Sequence, residues 1–276
     1  MNLKSFDFDV NQLNVLVTGG SNGIGYQISK AFLMKNSNVV NWDINDSSKV
    51  VELNETYGDC YRFENVNVSD ENSVQNAVKN LPEEIHVLIN NAGIMLKAPV
   101  TDIKIEDWDK MYDINVKGCM LVTKHITPKM LDSKRGRIIN ISSMTAKIGL
   151  ETYSMYSSTK AAVSNLTKVW ALELANYGVT VNALCPGWVQ TQMKYGLIDK
   201  ISDLHNLSKD KAIEAILNYV PQHRYIQTEE IAFTCLFLAS SLAQGISGHE
   251  LSIDNGLTNS FAPGFHMKDL QNLKLK

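Results

Sequence analysis

The stretch Val15-Leu16-Val17-Thr18-Gly19-Gly20-Ser21-Asn22-Gly23-Ile24-Gly25 decides the fold of this chain. The glycines end an apolar run and are followed by apolar residues at helical spacing, namely Ile28, Ala31, Phe32 and Leu33. A strand, a glycine turn and a helix in this order are typical of a nucleotide-binding turn, because the glycines let the backbone approach a pyrophosphate and the helix N-terminus presents free N–H groups to it. The spacing Gly-x-x-x-Gly-x-Gly differs from the commoner Gly-x-Gly-x-x-Gly, and a tight turn that binds nothing is the alternative.

Further apolar runs alternate with helical patterns along the rest of the chain. They cover residues 38–42, 60–68, 86–89, 137–141, 179–184 and 249–253, and long helices are predicted over about 105–131 and 153–177. Because strands and helices alternate without a repeat or a linker, we predict one α/β domain over residues 1–276, a doubly wound Rossmann-type parallel sheet. The strandless segment of about 189–225 is predicted to cover the active site, and about 257–276 to form a tail.

Composition and charge narrow the classes of partner. The chain has 276 residues, 44% hydrophobic and 20% charged, with a net charge of −3 and no cluster of Lys and Arg interleaved with aromatic residues, so nucleic acid is not an expected partner. The cysteines, Cys60, Cys119, Cys185 and Cys235, are far apart, which predicts buried thiols and no metal site or disulfide. The N-terminus lacks a signal-peptide pattern, and the longest apolar stretch, 231–243, is shorter than the roughly 20 residues of a membrane span. We therefore expect a cytoplasmic protein with no membrane partner.

Asp43 ends the second predicted strand, about 20 residues beyond the glycine turn. An acid in this place can accept hydrogen bonds from the adenosine ribose hydroxyls and repel a 2′-phosphate, which favours NAD over NADP. No Lys or Arg near Ser21 and Asn22, or directly after Trp42, offers a phosphate a counter-charge. The alternative is that Asp43 caps the following helix.

Polar residues follow two of the predicted strands. Asn90-Asn91-Ala92-Gly93 comes after the strand at 86–89, and Ser142 and Ser143 come after the strand at 137–141. Open α/β sheets bind ligands at the carboxyl ends of their strands. Such asparagines either lie against a ligand or tie turns. Asn115, among apolar residues of a predicted helix, is either a structural hydrogen-bonder or part of a polar site.

Tyr156 and Lys160 are four residues apart in a predicted helix and so share one face. A lysine ammonium within roughly 4–6 Å of a tyrosine hydroxyl favours the phenolate and lowers its pKa, which turns the phenol into an acid–base catalyst. The pattern alone is weak, since the same spacing also occurs as a solvated pair.

Together these motifs resemble those of the short-chain dehydrogenase/reductase family over roughly residues 12–257. The matches are Thr18-Gly-x-x-x-Gly-Ile-Gly25, Asn90-Asn-Ala-Gly93, Asn115, Ser143 before Tyr156-x-x-x-Lys160, and Pro186-Gly187 followed by Thr191. The resemblance implies a seven-stranded sheet, a nicotinamide cofactor, here NAD, and a homo-oligomer, tetramer or dimer, paired through the two long helices.

The resemblance also implies a role for each site residue. Asn115, Ser143, Tyr156 and Lys160 would be catalytic: Tyr156 exchanges the proton, Lys160 lowers its pKa and holds the nicotinamide ribose, Ser143 bonds the reacting oxygen, and Asn115 anchors a water. The implied cofactor-binding residues are Gly19, Ser21, Asn22, Gly23, Ile24, Gly25, Asp43, Asn67, Val68, Asn91, Ala92, Gly93, Tyr156, Lys160, Pro186, Gly187, Val189 and Thr191. Asn67 replaces the aspartate common in the family beside the adenine, and its amide can still bond the adenine amine.

The substrate is less well defined by the motifs. The C-terminal part is similar to the D-3-hydroxybutyrate dehydrogenases, which bind a carboxylate with Gln, His and Lys at positions that align with Met95, Thr145 and Tyr153, none of which supplies the same charge-assisted bonds. The implied substrate residues are Met95, Ser143, Thr145, Tyr153, Tyr156, Trp188 and Met193. The expected activity is NAD-dependent interconversion of a secondary alcohol (polyol, sugar or hydroxy acid) and its ketone. A 3-oxoacyl-thioester reductase and a non-catalytic nucleotide-binding family member are the alternatives.

Overall fold

Seven strands form one sheet in the computed structural model, which describes residues 8–131, 135–191, 202 and 207–260. The strands are β1 (Asn14–Thr18), β2 (Asn38–Asp43), β3 (Tyr61–Asn65), β4 (Val87–Asn90), β5 (Arg137–Ile141), β6 (Thr180–Pro186) and β7 (Glu250–Ile253). Their order is β3-β2-β1-β4-β5-β6-β7, and all neighbouring pairs are parallel. The predicted seven-stranded, doubly wound Rossmann-type sheet is confirmed.

Helices cover both faces of the sheet. They are α1 (Gly23–Leu33), α2 (Ser48–Tyr57), α3 (Glu71–Val78), α4 (Ile105–Tyr112), α5 (Cys119–Ile126), α6 (Ser154–Glu173), α7 (Lys209–Leu217) and α8 (Thr228–Ala239). One hydrophobic core includes Phe32 of α1 and Leu236 of α8, and a second core on the opposite face includes Val122 of α5 and Ala171 of α6. Strands buried on both faces read as continuous apolar runs, which is why β1, β4 and β6 were recognisable in the sequence.

The long helix predicted over about 105–131 is a composite of three helical forms. α4 continues into a π-helical segment, Asp113–Gly118, then into α5, and a 3-10 turn ends it at Lys129. The π-helical segment contains Asn115. Such segments widen the helix locally and are frequent at functional sites.

The strand order reverses between β1 and β4. β2 and β3 lie on one side of β1, and β4 to β7 lie on the other. The glycine turn follows β1 and Asn91-Ala92-Gly93 follows β4, so the two motifs meet at this point. Ligands of open parallel sheets bind in the crevice that forms there.

The structure refines the remaining expectations. Within the predicted cover at 189–225 it contains α7 and a bridge between Val189 and Ile226, while residues 192–201 and 203–206, and the tail at 261–276, lie outside the described residues. Cys60 is exposed, so the prediction of a buried thiol is wrong there, because a 3-10 turn carries it out to the edge strand β3. Across the described part of the chain, helices lack the length and apolar character of a membrane span, and acidic, His and Cys side chains form no cluster suited to a metal.

Candidate active site

A cavity of about 480 Å³ opens at the carboxyl edge of the sheet. We call the part lined by residues 19, 22–24, 42–45 and 66–68, after β1, β2 and β3, the glycine-turn end. We call the part lined by residues 94–95, 141–145, 153, 156, 186–189 and 191, around β5 and β6, the tyrosine end.

Most predicted site residues line this cavity. They are Gly19, Asn22, Gly23, Ile24, Asp43, Asn67, Val68, Asn91, Ala92, Gly93, Met95, Ser143, Thr145, Tyr153, Tyr156, Lys160, Pro186, Gly187, Trp188, Val189 and Thr191. Ser21, Gly25 and Asn115 are buried and do not line it, and Met193 lies outside the described residues. Lining residues that the motifs did not indicate are Trp42, Ile44, Asn45, Val66, Ile94, Ile114, Ile141 and Met144, and Ser142, the other serine after β5, lines the cavity as well.

The glycine turn leaves no room for a side chain at Gly19 or Gly25. Gly19 and Gly23 have φ angles of +67° and +54°, which favour glycine. A Cβ on Gly19 would lie 2.9 Å from the Cα of Ala92, and one on Gly25 would lie 2.5 Å from Nδ2 of Asn91. The bare backbone and the N-terminus of α1 therefore form the wall of the cavity, an arrangement that fits the pyrophosphate of a dinucleotide.

Asn91 ties the glycine turn to the end of β4. Its Nδ2 donates to the carbonyl oxygens of Thr18 at 3.1 Å and Gly19 at 2.9 Å, and Oγ1 of Thr18 accepts from the backbone N–H groups of Asn91 and Ala92. The Asn91 amide therefore ties the turn, as the alternative reading of these asparagines expected. Its side chain both shapes the glycine turn and lines the cavity.

Asp43 is held at the glycine-turn end by backbone donors. Its Oδ2 accepts from the N–H of Ser21 at 3.1 Å and its Oδ1 accepts from the N–H of Asn45 at 3.2 Å. The alternative that Asp43 caps α2 is wrong, because Ser47 occupies the N-cap position of that helix. Asp43 thus faces the cavity with its carboxylate oriented.

Asn67 presents its amide N–H groups to the cavity, not the oxygen that the prediction needed. Its Oδ1 accepts from both the N–H of Ser69 at 3.1 Å and the hydroxyl of Ser69 at 2.8 Å. Both lone pairs of the oxygen are then used, so the expected bond from an adenine amine lacks an acceptor here. The amide instead presents N–H donors, which suit a ring nitrogen of adenine.

Tyr156 lies in the first turn of α6 at the tyrosine end. Its ring meets the ring of Tyr153 edge-on, with centroids 6.4 Å apart. Burial raises the pKa of Tyr156 to about 12, although a hydrogen bond with Ser143 opposes the rise. Of the two candidate serines, Ser142 donates instead to the carbonyl oxygen of Lys160 at 2.9 Å. Ser143 is therefore the serine beside the phenol, and the phenol is protonated at neutral pH.

Lys160 is buried beneath the same wall. Its Nζ donates to the carbonyl oxygen of Ile141 at 2.8 Å and lies 5.6 Å from the centroid of the Tyr156 ring. Burial lowers the pKa of Lys160 to about 8. The role expected of Lys160, to lower the pKa of Tyr156, stays a prediction; in this structure burial is the largest influence on the pKa of that phenol, and it raises it.

Asn115 holds the tyrosine-bearing turn in place. Its Oδ1 accepts from the N–H of Ile94 at 2.8 Å, and its Nδ2 donates to the carbonyl oxygen of Ile94 at 2.9 Å and to Oγ1 of Thr159 at 3.1 Å. The Thr159 hydroxyl donates in turn to the carbonyl oxygen of Tyr156 at 2.8 Å. Asn115 therefore acts as a structural hydrogen-bonding residue. Both of its amide N–H groups donate within the protein and leave no donor for the predicted water.

The remaining predicted substrate residues differ in what they do. Met95 and Trp188 form apolar wall, and Trp188 also packs against Ile216 of α7. The Thr145 hydroxyl donates to Oγ of Ser143 at 3.1 Å, so Thr145 orients that serine.

Lys97 is a polar neighbour that the motifs did not indicate. Its Nζ donates to the hydroxyl of Tyr153 at 3.3 Å and lies 4.9 Å from the centroid of that ring. The only signal in the sequence is a lysine two residues after Met95, in the loop that follows β4.

Comparisons with known proteins agree with this architecture. A family model described as enoyl-(acyl carrier protein) reductase matches residues 19–258. The chain is 34% identical to an uncharacterized oxidoreductase, YxjF, of Bacillus subtilis, over 88% of this chain and 97% of that protein. It is 33% identical to the 3-oxoacyl-[acyl-carrier-protein] reductase FabG of Thermotoga maritima, over 88% of this chain and 96% of that protein.

A solved structure extends the likeness to the whole fold. The structure of an actinorhodin polyketide ketoreductase variant with NADPH superposes with a TM-score of 0.85 at 30% identity, covering 92% of this chain and 100% of that chain. Sequence, fold and the arrangement of the cavity thus agree. This protein belongs to the short-chain dehydrogenase/reductase family of oxidoreductases.

Proposed function

We propose that this protein is an NAD-dependent oxidoreductase that interconverts a secondary alcohol (polyol, sugar or hydroxy acid) and its ketone. The observation that carries the proposal is the convergence of Tyr156, Ser143 and Lys160 on one wall of a cavity whose other end is the glycine turn. A proton-exchanging phenol beside a dinucleotide cradle supports hydride transfer to or from a carbonyl carbon.

The proton chemistry rests on Tyr156 and its neighbours. Because burial holds the pKa of Tyr156 at about 12, the phenol is a proton donor at neutral pH, which is the form needed to reduce a ketone. Ser143 donates a second hydrogen bond to the reacting oxygen, where negative charge develops. The buried Lys160 ammonium adds positive charge below the ring, and Asn115 and Thr159 fix the turn of α6 that carries the phenol.

The cofactor supplies the hydride when it is bound. The turn at Gly19 to Gly25 would hold its pyrophosphate, Asp43 its adenosine ribose, and Lys160 its nicotinamide ribose. Asp46 adds a second acid three residues after Asp43. Of the described residues that line the cavity, Lys160 is the only cation, and it lies at the tyrosine end. The glycine-turn end therefore repels a 2′-phosphate, which supports NAD.

A 3-oxoacyl-thioester reductase is the second candidate. FabG of Thermotoga maritima carries that activity in its name, and the ketoreductase structure contains NADPH. The acidic glycine-turn end favours the first candidate. The expected similarity to D-3-hydroxybutyrate dehydrogenases remains a prediction, as does the cytoplasmic location.

The oligomeric state is part of the proposal. Val169 and Leu172 of α6 are 42% and 81% exposed, and Met120 of α5 is 37% exposed. Exposed apolar side chains on the two long helices support pairing into a homodimer or homotetramer. Light scattering coupled to size exclusion would detect a monomer, which would overturn this part.

A parallel assay distinguishes the candidates. Secondary alcohols, polyols, hydroxy acids, their ketones and a 3-oxoacyl thioester are incubated with NAD(H) and NADP(H) in separate series, and the absorbance of the reduced cofactor is followed. We expect turnover of a free alcohol–ketone pair with NAD(H). Preferential thioester reduction with NADPH would favour the second candidate, and tight NAD binding without turnover of any compound would indicate a non-catalytic family member.

A further inference from the structure

Thr145, one of the implied substrate residues, lies two residues after Ser143 in the turn that follows β5. We propose that Thr145 is a positioning residue that fills both acceptor sites of the Ser143 oxygen, so that Ser143 can only donate a hydrogen bond to the reacting oxygen. The inference rests on the proposed function and assigns the direction of one hydrogen bond in that reaction.

The Ser143 oxygen accepts two hydrogen bonds from the same residue. The backbone N–H of Thr145 donates to it at 3.2 Å, and the Thr145 hydroxyl donates to it at 3.1 Å. Ser143 is the N-cap of the 3-10 turn Met144–Ala146, and its extended backbone lets the side chain fold back over that turn. A hydroxyl oxygen has two lone pairs and carries one hydrogen. Both lone pairs of Ser143 are therefore occupied, and only its hydrogen is available for a further bond.

This count fixes the direction of the hydrogen bond between Ser143 and Tyr156. Because Ser143 has no free lone pair, it is the donor in that bond, and Tyr156 keeps its own hydrogen for another acceptor. The direction agrees with the effect of the bond, which opposes the rise in the pKa of Tyr156, since a donated hydrogen bond stabilises the phenolate.

The surroundings leave few other ways to set this direction. Ser143 and Thr145 are 7% and 5% exposed, so bulk water is excluded from most of both side chains. The neighbouring Ser142 serves a different purpose, because its hydroxyl bonds the carbonyl oxygen of Lys160 and the hydroxyl of Ser164, each at 2.9 Å. Of the two serines after β5, Ser143 is thus the one whose hydrogen is directed by Thr145.

The arrangement matches the two lone pairs of a carbonyl oxygen. Tyr156 transfers its proton to that oxygen, while Ser143 keeps its proton and donates a hydrogen bond as negative charge develops there. Without the Thr145 hydroxyl, one lone pair of Ser143 would be free to accept the Tyr156 hydrogen. Such an internal bond would compete with the substrate for the proton that the reaction needs.

The test removes and restores the Thr145 hydroxyl. Thr145→Val deletes the donor at nearly constant shape, Thr145→Ser keeps it, and Thr145→Val is also made together with Ser143→Ala. Thr234→Val is the matched control, because this half-buried threonine of α8 donates to the carbonyl oxygen of Glu230, away from the cavity. Each variant reduces ethyl 3-oxobutanoate, and the ketone that wild type reduces fastest in the parallel assay, with NADH.

We expect Thr145→Val to lower kcat about 5- to 30-fold, less than the roughly 10²- to 10³-fold cost of deleting a donor to the reacting oxygen. The KM for the ketone should change less than about threefold, and Thr145→Ser should stay within about twofold of wild type. In the Ser143→Ala background, Thr145→Val should have no further effect, because it acts through Ser143. An equal loss in both backgrounds, a rise in KM at constant kcat, or failure of Thr145→Ser to keep activity would overturn the inference.

Neutron diffraction from crystals of deuterated wild type separates this inference from the proposed function. We expect the Thr145 deuterium between the two hydroxyl oxygens and the Ser143 deuterium directed toward Tyr156. These positions in an enzyme that turns over no compound would support the assigned bond direction and overturn the oxidoreductase proposal. Turnover by an enzyme whose Ser143 deuterium points at Thr145 would overturn the inference and support the oxidoreductase proposal.

Discussion

The two ends of the cavity are built by different means. At the glycine-turn end, backbone meets backbone: Gly19 and Gly25 have no space for a Cβ, and the Asn91 amide fastens the turn. At the tyrosine end, side chains from the loop after β4, the turn after β5 and the start of α6 converge on Tyr156. We therefore expect substitution at Gly19 or Gly25 to be tolerated less well than substitution of a lining side chain at the tyrosine end.

The ends also differ in charge. Asp43 makes the glycine-turn end acidic, while Lys160 brings positive charge to the tyrosine end. A dinucleotide without a 2′-phosphate matches the acidic end. If the two ends act independently, a substitution at one end should leave the function of the other unchanged, and the largest effect is expected at Tyr156.

Tyr156→Phe should separate the two ends most sharply. The substitution removes the proton donor and keeps the ring, so we expect kcat to fall about 10³-fold, within the range of general acid–base catalysis. NADH affinity, measured by fluorescence titration, should change less than about twofold because the glycine-turn end is untouched. The exposed Tyr177→Phe is the control. Comparable activity in the Tyr156 variant would contradict the mechanism.

Gly25→Ala should damage the opposite end. The new Cβ would lie 2.5 Å from Nδ2 of Asn91, so the turn must shift. Overpacking of this kind costs about 1–3 kcal/mol, and we expect NADH affinity to fall about 10- to 100-fold. Gly149→Ala, where a Cβ meets nothing within 4 Å, is the matched control. A melting curve for each variant excludes unfolding, and unchanged NADH affinity in a folded Gly25 variant would show that the close packing is unimportant.

Asp43→Asn should alter cofactor choice more mildly. The amide oxygen can still accept from the N–H of Ser21, so the turn is kept while the negative charge is lost. We expect the NADH to NADPH ratio of kcat/KM to fall about tenfold, because a charge-assisted bond to the ribose weakens and repulsion of the 2′-phosphate disappears. Asp59→Asn, an exposed acid before β3, is the control. An unaltered ratio would show that Asp43 does not select the cofactor.

Much of the glycine-turn end could be predicted from the sequence, because its signals are local. Apolar runs that end in glycines or paired asparagines marked β1 and β4, and the alternation of strands and helices predicted a doubly wound parallel sheet. The predicted strand at 137–141 coincides with β5. The expected hydrogen bond from an adenine amine to Asn67 was wrong, because the N–H and hydroxyl of Ser69 already donate to the Asn67 amide oxygen.

The tyrosine end could be predicted only in part, because its chemistry depends on contacts between distant segments. Motif spacing indicated Tyr156 and Lys160, yet their pKa values follow from burial, which spacing does not report. The π-helical segment around Asn115 and its bonds to Ile94 have no local signal either. Lys97 was missed because its partner is 56 residues away in the chain.

Lys160 lies where the two ends meet, and the last expected effect is on stability, because burial of its ammonium opposes folding. Burial lowers the pKa of Lys160 from its ordinary 10.5 to about 8. Below about pH 8 the folded and unfolded chains both hold this proton, and above about pH 10.5 neither does. Between these limits the unfolded chain binds more protons, so the contribution of Lys160 to the free energy of unfolding increases with pH.

Lys160→Met cannot titrate, so the free energy of unfolding of wild type should rise relative to this variant by about 2–2.5 kcal/mol between pH 7.5 and pH 10. Urea unfolding of both proteins at each pH measures the difference, and most other titrating groups cancel because the two chains share them. Lys110→Met, which removes an exposed lysine of α4, should show no such trend. A constant difference across the range would mean that Lys160 keeps its ordinary affinity for the proton. A rising difference would instead show that the buried Lys160 ammonium destabilises the fold at neutral pH. A residue that costs stability in this way is expected to be retained for its chemistry.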